Sequence, residues 1–108
     1  MEICSEWPVG STTESMKKIF TSKTPSLILS GQYDPVTPPS YAEQLAANLE
    51  NTLHIVGEGQ GHGLISRGCI PKVISDFLED PILENLKTEC VKHLKPVPFF
   101  VNAYGPSP

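Results

Sequence analysis

Asp34 and His62 are the two side chains whose types and positions could do chemistry together. Asp34 follows an apolar run, residues 27–29, closed by a small pair, residues 30–31. His62 lies in a glycine-rich stretch, residues 57–63, that follows a second apolar run. In a hydrolytic triad a carboxylate holds an imidazole in one tautomer, and the imidazole takes the proton of a nucleophile. The sequence therefore predicts an acid and base pair.

Each of these side chains is expected to follow a strand. Residues 27–29 are consecutively apolar, which is typical of a parallel strand covered on both faces. Between the two predicted strands, Ala42, Leu45, Ala46 and Leu49 have the spacing of one helical stripe. Strand, helix and strand in this order predict a right-handed crossover, and ligands bind at the carboxyl ends of such strands.

The remaining segments are predicted from capping and stop signals. The helix before residue 51 has two possible starts, Thr37 before a proline or Ser40 with Glu43 as a capping box. A second helix has Pro71 in its first turn and ends at the Asp-Pro pair, residues 80–81. Its predicted apolar stripe consists of Ile70, Val73, Ile74, Phe77 and Leu78. We expect residues 1–24 to form an entry segment with a short helix, residues 25–80 a β-α-β-α unit, and residues 81–108 an extended proline-rich tail.

Composition limits the classes of partner. The 108 residues carry a formal net charge of −4, and the basic residues are scattered, so a nucleic-acid partner is not expected. No apolar run approaches the roughly 20 residues of a membrane span, and the amino end lacks the pattern of a signal peptide. The sequence thus predicts a single domain or part of one, with no membrane partner.

Each site residue also has a simpler interpretation. Asp-Pro is an ordinary turn dipeptide, and a glycine-rich segment can be only a loop. His54, within a strand, and His93, in the tail, are interpreted as structural. A zinc site formed by His54, His62 and Cys69 is conceivable, but no typical ligand spacing supports it, and neither a metal nor a cofactor is expected.

Four stretches together give a more specific indication. Residues 4–8 read CSEWP, residues 30–39 read SGQYDPVTPP, residues 59–63 read GQGHG, and residues 68–69 read GC. This set resembles the C-terminal region of tripeptidyl aminopeptidase-like serine hydrolases, of the α/β-hydrolase superfamily, over nearly the whole chain. The resemblance implies an α/β fold: the C-terminal portion of a hydrolase sheet, with two parallel strands, two to three helices and a tail, incomplete as a full domain.

The resemblance also assigns roles. It implies that Asp34 is the triad acid and His62 the triad base, that the parent protein is secreted, that Cys69 and Cys90 form a disulfide, and that Cys4 pairs with an upstream residue. The odd count of three cysteines suits a piece of a longer exported protein. Three reduced thiols in a cytosolic protein are the alternative.

One triad member has no candidate in this chain. No Gly-x-Ser-x-Gly elbow occurs, so the nucleophile and the oxyanion hole are missing. The resulting hypothesis is a segment of a peptidase or esterase that is inactive alone and needs the amino-terminal part of the domain as its partner. The alternatives are a non-catalytic binding or assembly domain and a truncated gene product.

Overall fold

The computed structural model describes residues 10–18, 20–96 and 98–105. Its regular elements are β1 (Ser26–Gly31), α1 (Pro39–Ala46), β2 (Thr52–Gly57) and α2 (Ile70–Glu79). Short 3₁₀ segments lie at Glu14–Lys17, Leu64–Ser66, Leu83–Asn85 and Glu89–His93. The predicted α/β class, with two strands and two helices in alternation, is confirmed.

The two strands form a parallel sheet whose register places apolar residues opposite each other. Leu27 lies opposite Leu53, and Leu29 lies opposite Ile55. Because side chains alternate along a strand, these four share one face of the sheet. Both strands end level with each other, at Gly31 and Gly57, so the loops that follow them leave from the same edge.

The hydrophobic core lies on that face of the sheet. Its buried members within the described residues are Ile55, Leu64, Ile70, Val73 and Val91, and Leu27, Leu29 and Leu53 pack against them. Helix α2 contributes Ile70, which is fully buried, and Val73. Leu78, although part of the predicted apolar stripe of α2, is 76% exposed. The core of the described chain is therefore small and one-sided.

Helix α1 connects the strands and contacts both of them. It begins at Pro39, with Pro38 as its N-cap, and no side chain caps it. The predicted capping box of Ser40 and Glu43 is therefore wrong. The other predicted start, at the proline directly after Thr37, is one residue too early, because the helix begins at the second proline. The side chain of Thr37 is engaged elsewhere, because it donates a hydrogen bond to Asp34.

Two predictions at the ends of the chain differ from the structure. The sequence favours Ser11 as the cap of the short amino-terminal helix, but the structure has a 3₁₀ segment with Thr13 at its N-cap. The tail is not extended throughout, because it makes two 3₁₀ turns, at Leu83–Asn85 and Glu89–His93. The second turn carries Val91 into the core, and burial of that side chain explains why the chain folds back there.

Cys4 and its expected upstream pairing lie outside the described residues. In the ranges that are described, no helix has the length and apolar character needed to cross a membrane.

Candidate active site

The acid loop, residues 32–38, joins β1 to α1 and surrounds the carboxylate of Asp34 with hydrogen-bond donors. Its Oδ1 accepts the N–H groups of Val36 at 2.8 Å and of Thr37 at 3.0 Å. Its Oδ2 accepts the hydroxyl of Thr37 at 2.8 Å. Such side-chain bonds to the backbone two and three residues on are typical of an aspartate that begins a turn. Asp34 is thus a turn residue whatever its chemical role.

The same donors keep Asp34 ionised. The N–H of Thr37 is the largest influence that lowers the pKa of this carboxyl, and the His62 ring, the N–H of Val36 and the Thr37 hydroxyl act in the same direction. Burial opposes them, since the side chain is only 4% exposed. Hydrogen bonds to the charged form prevail over desolvation, and the pKa lies well below its ordinary value.

His62 lies in the histidine loop, residues 58–69, which joins β2 to α2. Its Nδ1 is 2.8 Å from Oδ2 of Asp34, so the two side chains are brought together across 28 residues of sequence. The imidazole is 62% exposed, whereas the carboxylate is almost fully covered. No described residue hydrogen-bonds to its Nε2. With the proton on Nδ1 directed at the carboxylate, Nε2 carries a lone pair and can accept a proton.

Backbone contacts hold the two loops together independently of the side-chain pair. The N–H of Tyr33 donates to the carbonyl of Gln60 at 2.8 Å, and the N–H of Gly59 donates to Oε1 of Gln32 at 2.8 Å. Gly31 permits this approach, because a Cβ atom there would lie 2.1 Å from the carbonyl oxygen of Gly61. The histidine loop therefore rests directly on the end of β1.

The parts that Thr37 and Gly31 play in this geometry were not predicted from the sequence. Thr37 follows Asp34 by three residues, and this spacing is a recognisable signal for a side chain that can share the carboxylate. Gly31 closes an apolar run and gave no signal of its own, because the close approach depends on how the two loops fold.

The other histidines take no part in this pair. Nε2 of His54 is 2.9 Å from Oγ of Ser30, a contact between neighbouring strands. Ser30 is 5% exposed, which denies a substrate access to its hydroxyl. Within the described ranges, no group of three or more His, Cys, Asp and Glu side chains could hold a metal ion. Cys69, from the conceivable zinc set, is bound to another cysteine.

The structure contains a disulfide between Cys69 and Cys90. The Cα atoms are 6.3 Å apart, within the usual range for such a bond. Cys69 is the last residue of the histidine loop and the N-cap of α2. The bond thus ties the end of that loop to the tail.

Comparison with known proteins identifies a family for most of the chain. A family model described as TAP-like protein matches residues 1–90. Searches of curated proteins and of solved structures give no significant match. Two parallel strands and two helices are consistent with a partial α/β-hydrolase fold. Since the match covers most of the chain, this protein belongs to the TAP-like family of tripeptidyl aminopeptidase-like α/β-hydrolases.

Proposed function

We propose that this chain supplies the acid and the general base of a serine hydrolase that cleaves peptide or ester bonds. Asp34 is the acid, His62 is the base, and the nucleophilic serine belongs to an amino-terminal part of the domain outside these 108 residues. The observation that carries the proposal is the 2.8 Å contact between a buried, ionised Asp34 and an exposed His62. One nitrogen of the imidazole is thereby oriented, and the other is left to react.

The chemistry follows from those two nitrogen atoms. Nε2 of His62 takes the proton of the serine hydroxyl as the serine oxygen attacks the substrate carbonyl. Asp34 stabilises the imidazolium, which then gives the proton to the leaving amine or alcohol. Water then attacks the acyl-enzyme, with His62 again acting as base, and the carboxylic acid product is released from the serine. The nucleophile and the oxyanion donors must come from the partner segment.

The shape of the described chain supports a need for that segment. Among the described strands, β1 pairs only with β2, so its other edge presents unpaired backbone groups. Leu27 and Leu29 of β1 are only partly buried. Completing their burial would add part of the roughly 1.5 to 3 kcal/mol that full burial of such a side chain contributes. Further strands of the same domain are the partner that we infer.

The disulfide supports a proposal about location as well. Disulfides persist in oxidising compartments, and the Cys69–Cys90 bond is consistent with an extracellular protein. We propose that the parent hydrolase is exported, and recovery of the oxidised protein from the extracellular fraction of its natural source would test this.

Restoration of activity tests the proposal. The purified chain should not turn over p-nitrophenyl esters or aminoacyl arylamides. Co-expression with an amino-terminal segment that bears a Gly-x-Ser-x-Gly elbow should restore turnover and labelling of that serine by a fluorophosphonate. Asp34→Asn should then lower kcat by up to about 10⁴-fold. Turnover by the chain alone that survives both Asp34→Ala and His62→Ala would show that the assignment is wrong.

A non-catalytic binding or assembly domain is the second candidate. It is favoured by the exposed aromatic side chains of the tail, Phe99, Phe100 and Tyr104, which are 79% to 98% exposed. A stable monomer that binds a protein partner, and that gives no hydrolysis with any serine-bearing segment, would support this candidate. A truncated gene product would show neither binding nor restored turnover.

A further inference from the structure

The tail lies against the histidine loop at two places. We define the strap as residues 94–96, which follow the 3₁₀ segment that carries Cys90. A Cβ atom on Gly68 would lie 2.6 Å from Cδ2 of Leu94, near the end of the loop. A Cβ atom on Gly59, near its beginning, would lie 2.5 Å from Cδ of Pro96. The strap therefore packs closely against both ends of the loop that carries His62.

Gln60 connects the strap to the site. Its side-chain amide donates to the carbonyl of Lys95 at 2.7 Å and, more weakly, to the carbonyl of Glu58 at 3.3 Å. The backbone carbonyl of Gln60 accepts the N–H of Tyr33, the residue directly before Asp34. Gln60 is 6% exposed. The buried side-chain amide of Gln60 binds the strap and the backbone carbonyl of the same residue binds Tyr33, so the backbone two residues before His62 is held from both sides.

Two further contacts anchor the strap. The Cys69–Cys90 disulfide joins the end of the histidine loop to the chain four residues before Leu94. Val91, between the disulfide and the strap, is buried in the core. The carbonyl of Lys95 is thus presented to Gln60 by a segment that is itself fixed, so the hydrogen bond can restrain the loop.

We propose that Gln60 is a positioning residue that, through its hydrogen bond to the strap, sets the place of the His62 imidazole relative to Asp34. The importance of this for catalysis rests on the proposed function, whereas the positioning itself does not. Because His62 is largely exposed, contacts of its own side chain cannot fix it beyond the single bond to Asp34. The backbone of the loop must supply the remaining restraint.

The first test uses the intact chain and does not need activity. Gln60→Met keeps the length of the side chain and removes the donor. We expect the Nδ1 proton of His62 to exchange with water at least about tenfold faster in this variant, as the bond to Asp34 opens more often. Asn48→Leu is the control, because it removes another side-chain amide that binds a backbone carbonyl, on α1 at 2.8 Å. That variant should leave the exchange unchanged.

A second variant distinguishes loss of the hydrogen bond to the strap from loss of folding. Gln60→Asn keeps an amide in the buried position but is one methylene too short to reach the strap. The Nδ1 proton of His62 should exchange faster in this variant as well. Its circular dichroism spectrum and its thermal midpoint should stay close to those of the unmodified chain. Unchanged exchange at His62 in both variants, with the chain folded, would overturn the positioning role.

Kinetics of the co-expressed enzyme separate the two proposals. Gln60→Met should lower kcat about 10- to 100-fold and leave KM within about twofold, because misplacing a catalytic group affects the chemical step more than binding. If the enzyme has no turnover that depends on His62, the proposed function fails while the exchange measurement still decides the role of Gln60. A rise in KM with kcat unchanged would contradict positioning.

Discussion

Thr37 and His62 donate to the same oxygen atom of Asp34. Oδ2 accepts the hydroxyl of Thr37 and Nδ1 of His62, each at 2.8 Å. The N–H of Thr37 occupies the other oxygen, Oδ1, at 3.0 Å. With both oxygens held, the carboxylate cannot rotate away from the imidazole without breaking bonds to Thr37. The orientation of His62 therefore depends on Thr37 through the carboxylate that both residues bind.

Removal of the threonine hydroxyl tests this dependence. Thr37→Val keeps the shape of the side chain and its N–H but loses one donor. The pKa of Asp34 should rise toward its ordinary value, since a hydrogen bond to the charged form is lost. Turnover of the co-expressed enzyme should fall about tenfold, because one hydrogen bond to a charged group contributes at least about 1.5 kcal/mol. Carboxyl NMR titration measures the first effect, and Thr24→Val, in the exposed loop before β1, is the control.

The lowered pKa of Asp34 also predicts how stability varies with pH. A carboxyl whose pKa is depressed in the folded state stabilises the fold above its unfolded value, about 3.9, and loses this contribution as pH falls through the folded value. The difference in free energy of unfolding between the unmodified chain and Asp34→Asn should therefore be constant near neutral pH and shrink below about pH 4. Urea unfolding across the acid range measures it. A difference that grows on acidification would contradict the ionised Asp34.

The disulfide should contribute substantially to stability. Cys69 and Cys90 are 21 residues apart, and closing a loop of that size stabilises by about 3 kcal/mol in the chain-entropy model. The double variant Cys69→Ser and Cys90→Ser should lose that amount in denaturant unfolding. Peptide mapping without reduction should find the two cysteines in one linked fragment. Linkage of Cys4 to either of them in native material would contradict the pairing.

The one-sided core predicts a sharp contrast between two isoleucines. Ile70 is fully buried at the start of α2, and Ile70→Ala should cost about 2 to 5 kcal/mol of unfolding free energy. Ile82 is 51% exposed, and Ile82→Ala should change stability by less than about 0.5 kcal/mol. Denaturant unfolding of both variants under one condition measures the contrast. Equal losses would show that the core extends into the tail.

The parts of this fold that were predictable from the sequence are those with a local signal. The apolar run before Asp34, the part of the α1 stripe up to Ala46, and the stop of α2 at the Asp-Pro pair each follow from spacing or backbone chemistry within one element. Leu49, the last residue of the predicted stripe, lies beyond the end of α1 at Ala46. Those signals were enough to place Asp34 and His62 at the same edge of the sheet. Their types and positions suggested an acid and base pair, the resemblance implied the same roles, and this assignment stays a prediction.

The remaining features depend on contacts between distant segments. Burial of Val91 makes the tail turn, and neither the proline content nor the spacing of the tail indicates this. The Gln60 bond to Lys95 joins residues 35 positions apart and has no local signature. The start of α1 was misplaced because Thr37 binds a carboxylate instead of capping the helix, a choice that tertiary structure makes.

The central claim is that His62 is the general base of a hydrolase completed by a second segment. The most direct measurement is the turnover of an aminoacyl arylamide or p-nitrophenyl ester by the co-expressed protein with His62→Ala, beside His93→Ala, which removes an exposed imidazole of the tail. We predict that His62→Ala lowers kcat at least about 10³-fold while His93→Ala stays within about twofold of the unmodified protein. Equal turnover in the two variants would contradict the account.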